Sequence, residues 1–181
     1  MHNNINFTAF DLETAFGQKH ICQVGIVIVK NGLIVEEKSF LVQPPENKIS
    51  SYCSKIHGIT ASKTKDAPLF PEVWNEIKKY FINQVVLHHS DGFDIRVLHQ
   101  DIEYYNLEMP RYLAIQSTMA LFPEKYSRSL SNICTAYEID MEKHHDAVSD
   151  ARCCAQIMLK YLNDETPDYK ILPKVKSRDE Y

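Results

Sequence analysis

The sequence of 181 residues predicts one α/β domain built on a mixed five-stranded sheet. Two observations predict this fold class. Three strand-like segments come first, and the Asn31-Gly32 dipeptide between the second and the third is a strong signal for a two-residue hairpin. After them, the apolar residues recur at steps of three and four in segments separated by short apolar runs. This alternation is typical of parallel strands joined by crossover helices.

The predicted strands fall into two groups. The first strand has apolar residues on both faces and is therefore expected to lie in the centre of the sheet. The three initial strands are expected to pair antiparallel, and the two later ones to lie parallel because helices connect them. The predicted strands are residues 5–12, 21–30, 33–42, 85–88 and 113–118.

Helical periodicity marks four later segments, and an irregular segment over residues 49–67 is expected to hold one short helix near Ser62. The predicted helices are residues 70–81, 93–105, 130–137 and 147–162. From Asn163 onward, charges of both signs mix with Pro167 and Pro173, and the apolar residues lose their period. We therefore expect one domain over residues 1–162 and a flexible C-terminal tail over residues 163–181.

Charge and glycine content exclude several classes of function. Lys and Arg number 20 against 24 Asp and Glu, and the formal charge of −4 argues against a broad basic face for non-specific binding of nucleic acid. A narrow site that handles a phosphodiester with metal ions stays compatible with this charge. The five glycines form neither G-x-G-x-x-G nor G-x-x-x-x-G-K-S/T, which excludes a Rossmann cofactor site and a P-loop.

The sequence predicts a cytoplasmic protein without a membrane segment. The most apolar run, residues 21–29, is too short to cross a bilayer, and the first four residues lack the basic and apolar parts of an export signal. The five cysteines are scattered and form no C-x-x-C pair, which indicates reduced, mostly buried thiols. A zinc site stays open as an alternative, although neither the cysteines nor the two His-His pairs show a familiar ligand spacing.

The first motif with chemical content is F-D-L-E-T, residues 10–14. Asp11 and Glu13 are two residues apart at the end of the first strand, so their carboxylates point to the same side of the sheet. Two anions on one buried face repel each other and lose solvation, and a cation between them removes both costs. The alternative is that the strand has ended and both acids are solvated.

The second motif is H-H-D-A-V-S-D-A, residues 144–151, at the start of the last predicted helix. Asp146 is expected to cap the helix, and Asp150 falls in its first turns. If His145 lies in the loop before the helix, the chain can fold back and present His145 and Asp150 to one point. The alternative is that capping and the helix dipole account for both aspartates without any function.

The third motif, residues 88–98, runs from a buried strand through Gly92 into a helix. Asp94 lies in the first turn of that helix, where the dipole favours an anion. We expect Asp91 to be the N-cap, which leaves Asp94 free to bind a ligand. The alternative is that Asp94 is only a first-turn acid.

Together the three motifs resemble the DEDD exonucleases that carry a catalytic histidine, which have a ribonuclease H-like fold. The chain looks like a stand-alone relative of the proofreading epsilon subunit of bacterial DNA polymerase III. The resemblance covers about residues 7–162. It includes I-H-G-I-T at residues 56–60, which is similar to that group's substrate-loop signature, and A-P-x-F-x-E-V-W at residues 67–74.

The resemblance implies a role for each candidate residue. Two divalent cations, Mg²⁺ or Mn²⁺, are held by four carboxylates: Asp11, Glu13, Asp94 and Asp150. His145, and not His144, matches the general base. The positions that match those holding the terminal nucleotide are Thr14, Ile56, His57 and Phe93. Oxygen ligands suit hard cations, and an imidazole can take a proton from water at neutral pH.

The implied activity is metal-dependent 3′→5′ hydrolysis of single-stranded or frayed DNA, releasing nucleoside 5′-monophosphates, alone or beside a DNA polymerase. Two alternatives remain open: an exoribonuclease acting on short RNA, and a non-catalytic module that serves a polymerase as a scaffold. The chain departs from the family pattern at His89, where the family often has Asn, and at Ser117, where it usually has Asp. We expect these departures to affect the positioning of substrate more than the chemistry.

Overall fold

The computed structural model describes residues 4–175 and shows strands and helices in the predicted order. The strands are β1 (Phe7–Phe16), β2 (Lys19–Lys30), β3 (Leu33–Leu41), β4 (Val85–His88) and β5 (Ala114–Ser117). The helices are α1 (Ser51–His57), α2 (Ala61–Thr64), α3 (Phe70–Ile77), α4 (Phe93–Tyr104), α5 (Leu130–Ala136) and α6 (Ala147–Leu162). Short 3₁₀ turns occupy Pro45–Asn47, Lys78–Tyr80 and Thr118–Leu121.

The five strands form one mixed sheet in the order β3-β2-β1-β4-β5. β2 pairs antiparallel with both β1 and β3, whereas β4 pairs parallel with both β1 and β5. The predicted hairpin at Asn31-Gly32 is present, and both residues have the positive φ angles, 52° and 76°, that a type I′ turn needs. The predicted fold class, with β1 in the centre, is confirmed.

Two apolar layers cover the two faces of the sheet. On one face, Ala9 of β1 packs in a buried cluster with Cys154 and Ile157 of α6. On the other face, Phe10 of β1 packs in a second cluster with Trp74 of α3 and with residues of α4. Odd-numbered residues at the start of β1 therefore face α6, and this parity decides which face carries the acidic residues that follow.

Two local elements differ from the sequence prediction. β1 continues to Phe16 instead of ending at Leu12, with a bulge between Glu13 and Thr14, because β2 keeps pairing with it up to the tight turn at Gly17. Helix α1 was not predicted. It begins after Ser50, whose side chain accepts a hydrogen bond from the Cys53 N–H (3.1 Å), and it ends at Gly58 with φ of 73°.

Residues 163–175 return to the domain, which differs from the predicted flexible tail. The Asp168 N–H donates to the Ala136 carbonyl (2.9 Å), and Tyr169 stacks on Tyr126 with ring centroids 5.3 Å apart. Leu172 is buried. Single apolar side chains pack this segment against the domain, so its sequence shows neither helical nor strand periodicity. The rest of the predicted tail, residues 176–181, lies outside the described residues.

Two further expectations concern the environment of the chain. All five cysteines are buried, as predicted, and none of them is in a disulfide. Over residues 4–175, no helix is both long and apolar enough to span a bilayer.

Candidate active site

A cavity of about 300 Å³ opens where β1 and β4 end. We call it the carboxylate cavity, because four carboxylates line it together with histidines and a group of apolar side chains. The structure places all nine candidate residues in this lining: Asp11, Glu13, Thr14, Ile56, His57, Phe93, Asp94, His145 and Asp150. Residues from four separate elements and from the loop before α6 therefore converge on one point.

Asp11 and Glu13 lie on the face of β1 that α6 covers. They follow Phe7 and Ala9 at steps of two, so their side chains point to the same side of the sheet. The carboxylate oxygens of Asp11, Glu13 and Asp150 lie within 4.8 Å of one another. β1 continues through both residues, Glu13 is buried and Asp11 is half-buried, so the alternative that the strand has ended and both acids are solvated is wrong.

The first turn of α6 reaches this face because the strand below it carries a glycine. Gly25 of β2 pairs with Asp11, and a Cβ added at Gly25 would lie 2.1 Å from the backbone carbonyl of Ala147. Next to it, the Gln23 side-chain oxygen accepts a hydrogen bond from the Ala147 N–H (3.3 Å). The predicted cap, Asp146, occupies the N-cap position, but within the described structure its side chain makes no capping bond. Gln23 supplies the acceptor instead.

Asp94 lies at the junction of β4 and α4 and is held by Ser90. The Ser90 hydroxyl donates to the Asp94 carboxylate (2.6 Å), and the Asp94 N–H donates back to the same hydroxyl oxygen (3.2 Å). The N-cap of α4 is Gly92, which has φ of 79°, so the predicted N-cap, Asp91, is wrong. A side chain two residues before the cap performs that function and fixes the Asp94 carboxylate.

Burial raises the pKa of all four carboxylates, and repulsion between carboxylates raises the pKa of Asp11, Glu13 and Asp94 further. Burial, followed by repulsion from Asp150 and Asp94, raises the pKa of Glu13 to about 8. Burial raises the pKa of Asp94 to about 6, despite the hydrogen bond from Ser90. The pKa of Asp11 is raised well above its usual range, and that of Asp150 is also raised, in both cases mainly by burial. Without a cation, the fully ionised cluster is unfavourable.

The donor set fits hard divalent cations. Asp11, Glu13 and Asp150 offer only oxygen atoms at mutual distances that a single ion can bridge, and Asp94 lines the same cavity. Four negative charges balance two divalent cations. A second group, His144, His145 and Asp150, also has its ligand atoms within 4.8 Å. Imidazole nitrogens in that group add affinity for Mn²⁺ or zinc, so the residues present suit divalent ions of more than one kind.

His145 lies beside the carboxylates in the loop before α6. Its φ of 60° is uncommon for a residue with a side chain, and it turns the backbone so that the His145 N–H donates to Asp150 (3.1 Å). The ring of His144 stacks on that of His145 at 3.8 Å, and His144 Nδ1 lies 3.3 Å from Asp150. Burial and the neighbouring His144 lower the pKa of His145, which keeps its imidazole neutral at pH 7.

Helix α1 is pinned to β1 by His57. The His57 Nε2–H donates to the Thr14 carbonyl (3.1 Å), and Nδ1 accepts from the Ile59 N–H (3.0 Å). Both ring nitrogens of His57 are therefore engaged by backbone groups. Ile56 and Phe93 expose apolar surface to the same cavity.

The two departures from the family pattern contact each other. His89 is buried, and its ring nitrogens lie 2.8 Å from the Thr118 hydroxyl and 2.8 Å from the Arg128 carbonyl. The Ser117 hydroxyl donates to the Ser90 carbonyl (2.7 Å). His89 and Ser117 therefore connect the end of β5 to the loop that carries Ser90, the residue that bonds to Asp94.

Sequence reasoning missed four residues that build the site: Gln23, Gly25, Tyr52 and Ser90. Ser90 lies four residues before Asp94, a spacing that a search for side-chain caps can find. Gly25, alone within an apolar strand, indicates a close approach by another backbone. Gln23 carries no local signal because its partner, Ala147, is distant in the chain. Tyr52 carries none because it is an exposed residue of a helix that was not predicted.

A comparison with protein families decides the identity of the domain. The model of the RNase_T family, described as exonuclease, matches residues 8–158. The chain belongs to this exonuclease family. The match extends from β1 to α6 and so includes every element that lines the carboxylate cavity. The predicted membership of an exonuclease family is confirmed.

Curated relatives of this exonuclease are components of bacterial DNA polymerase III. A PolC-type DNA polymerase III of Caldanaerobacter subterraneus subsp. tengcongensis is 29% identical over 86% of this chain, and that match spans 11% of the relative. The epsilon subunit of Rickettsia typhi is 23% identical over 85% of this chain and 71% of its own length. The chain thus spans about a tenth of the PolC-type relatives and most of the epsilon subunit.

Solved structures of nucleases share the fold of this exonuclease. Exonuclease X, solved with a 5′-overhanging duplex DNA, superposes with a TM-score of 0.66 at 23% identity, covering 90% of this chain and 95% of that one. A 3′-exonuclease that recognises the 3′ end of a histone mRNA stem-loop gives 0.73 at 17% identity, covering 95% and 91%. The predicted ribonuclease H-like fold is confirmed.

Proposed function

We propose that residues 1–162 form a metal-dependent 3′→5′ exonuclease that removes nucleoside 5′-monophosphates from the 3′ end of single-stranded or frayed DNA. One observation carries the proposal: β1, α4 and α6 bring four carboxylates to one cavity, with His145 at its side. A non-catalytic scaffold does not need this buried, mutually repelling cluster. Its energetic cost favours retention for chemistry.

The four carboxylates, Asp11, Glu13, Asp94 and Asp150, are the residues that would hold two divalent cations, Mg²⁺ or Mn²⁺. When bound, such cations neutralise the charge of the scissile phosphate and stabilise the attacking and leaving oxygens. The protein contributes the placement of these ligands. Ser90 fixes Asp94, and the Gly25 contact fixes the helix that carries Asp150.

His145 is the proposed general base. Its imidazole is neutral at pH 7 and accepts a proton from the attacking water, which bonds to phosphorus as the bond to the 3′ oxygen of the preceding nucleotide breaks. The nearby Asp150 carboxylate then stabilises the imidazolium, and it also holds the His145 backbone through the N–H bond. Thr14, Ile56 and Phe93 are the proposed contacts of the terminal nucleotide, with His57 positioning α1.

The proposed substrate is DNA, and the proposed setting is a cytoplasmic DNA polymerase. The curated relatives named above are DNA polymerase III proteins in which this domain is one part or one subunit. The proposed entry for the 3′ end of one strand is the carboxylate cavity, which has a volume of about 300 Å³. RNA is the second candidate, because the fold neighbours include a nuclease that recognises an mRNA 3′ end.

The test is degradation of a 5′-labelled single-stranded DNA oligomer with Mn²⁺ and with Mg²⁺, beside the Asp11→Ala protein. We expect a ladder that shortens from the 3′ end, is absent in the mutant and disappears with EDTA. A matched RNA oligomer measures the preference between the two polymers. No cleavage of DNA or RNA with either metal would reject the proposal in favour of a scaffold, and activity that survives EDTA would reject the metal dependence.

A further inference from the structure

Tyr52 is an exposed aromatic residue in the lining of the carboxylate cavity that the proposed chemistry does not use. It lies on α1, four residues before Ile56, so both side chains occupy the same face of the helix. Tyr52 is 71% exposed, whereas Ile56 is 41% exposed and the carboxylate of Asp94 is buried. Tyr52 therefore lies at the rim of the cavity, where a bound strand must leave toward solvent.

The rim is rigid although Tyr52 itself is exposed. The Ser50 N–H donates to the Ala15 carbonyl (2.9 Å) at the start of α1, and His57 bonds to the Thr14 carbonyl at its end. Between them, the Gly17 N–H donates to the Cys53 Sγ at 3.1 Å. Three bonds thus tie the two-turn helix that carries Tyr52 to β1 and to the turn that follows it.

We propose that Tyr52 stacks on the base next to the 3′-terminal one and so sets the affinity for the polymer strand. This inference rests on the proposed function. A nucleotide that places its phosphate at the carboxylates fills the inner part of the cavity, beside Ile56 and Phe93. The preceding nucleotide then lies toward the exit, beside the rim. An exposed aromatic ring accepts any base there, because every base presents a flat π-face.

The proposal is tested by removing the ring and the base separately and then together. The substrates are 5′-labelled single-stranded DNA 12-mers that are intact or carry one abasic site at the first, second or third position from the 3′ end. Initial rates of removal of the terminal nucleotide give kcat/KM. We expect Tyr52→Ala to lower kcat/KM for intact DNA by about 5- to 150-fold through KM, and Tyr52→Phe to stay within about twofold of the wild type.

The decisive comparison uses the substrate that lacks the second base from the 3′ end. On this substrate we expect the wild type and Tyr52→Ala to have equal kcat/KM, because the base that the Tyr52 ring would stack on is absent. The control Tyr161→Ala removes an exposed tyrosine of α6 and should match the wild type on every substrate. Thermal unfolding should give the same Tm for Tyr52→Ala and wild type, since the removed side chain is mostly solvated.

Three results would overturn the assignment: equal loss on intact and second-position abasic DNA, no loss at all, or coupling to the terminal base instead. A different result would reject the proposed exonuclease function itself. If the wild type leaves no 3′ ladder on intact DNA, the exonuclease proposal is rejected. If the ladder is present and only the coupling is missing, the role of Tyr52 alone is rejected.

Discussion

Gly25 lies directly beneath the backbone of Ala147. A Cβ at position 25 would come within 2.1 Å of the Ala147 carbonyl carbon and oxygen, and within 2.3 Å of the Val148 nitrogen. Because Gly25 pairs with Asp11 across the sheet, this contact also sets the distance between the carboxylate of Asp11 and the first turn of α6. A residue with no side chain thus controls the assembly of the acidic cluster.

We expect Gly25→Ala to lower the free energy of unfolding by about 1–3 kcal/mol or more and to reduce cleavage at least about 100-fold, because α6 must move away from β1. Denaturant unfolding and the DNA ladder measure the two effects. The double variant with Ala147→Gly should not recover, since the atoms that the new Cβ meets are backbone atoms. Full activity of Gly25→Ala would show that Asp150 does not depend on this contact.

Glu13→Gln should abolish cleavage and stabilise the protein in EDTA at pH 8. The pKa of Glu13 is raised from 4.5 to about 8, so across this window the folded state binds more protons than the unfolded state. The free energy of unfolding therefore falls as pH rises from about 4.5 through 8, and the penalty is complete above that range. Tm values between pH 5 and 8 should fall more for the wild type than for Glu13→Gln. Parallel profiles would contradict the raised pKa.

His145→Ala should reduce kcat by about 10²- to 10⁴-fold through loss of the general base. The pKa of His145 is lowered, and the base acts when neutral, so the wild-type rate should fall only as the pH drops below 6.5. His144→Ala removes a neighbour that lowers the pKa of His145, so the acidic limb of its rate profile should shift to higher pH with a smaller loss of kcat. If His144→Ala is the more damaging of the two, the assignment of the base to His145 is wrong.

Ser90→Ala should weaken the response to divalent metal more than it weakens the fold. Loss of the hydroxyl frees the Asp94 carboxylate and raises its pKa further, because that hydrogen bond lowers it. We expect the concentration of Mg²⁺ needed for half-maximal rate to rise about 10- to 100-fold. Ser62→Ala, which removes an exposed hydroxyl, serves as the control. An unchanged Mg²⁺ titration would show that Asp94 needs no fixing by Ser90.

The parts of the fold and site that depend on local pattern could be predicted from sequence. A period of two placed Asp11 and Glu13 on one face, and the structure keeps them there with Ala9. The helical period gave the bounds of α6 at both ends. The resemblance located the nine candidate residues, and the structure places them in one cavity.

The remaining features depend on partners that are distant in sequence. The extension of β1 to Phe16 follows from pairing with β2, and the packing of residues 163–175 follows from contacts such as the stack of Tyr169 on Tyr126. The capping role moved from Asp91 to Ser90 and from Asp146 to Gln23, because tertiary geometry decides which acceptor reaches an N–H. No single window of sequence contains these pairs.

The carboxylate cluster joins the first strand of the chain to its last helix. Asp11 emerges early in synthesis, whereas Asp150 is contributed by α6 after all five strands have been made. A nascent chain on the ribosome, or a fragment that stops before α6, therefore holds only part of the cluster. The complete set of acids therefore exists only once α6 has been made.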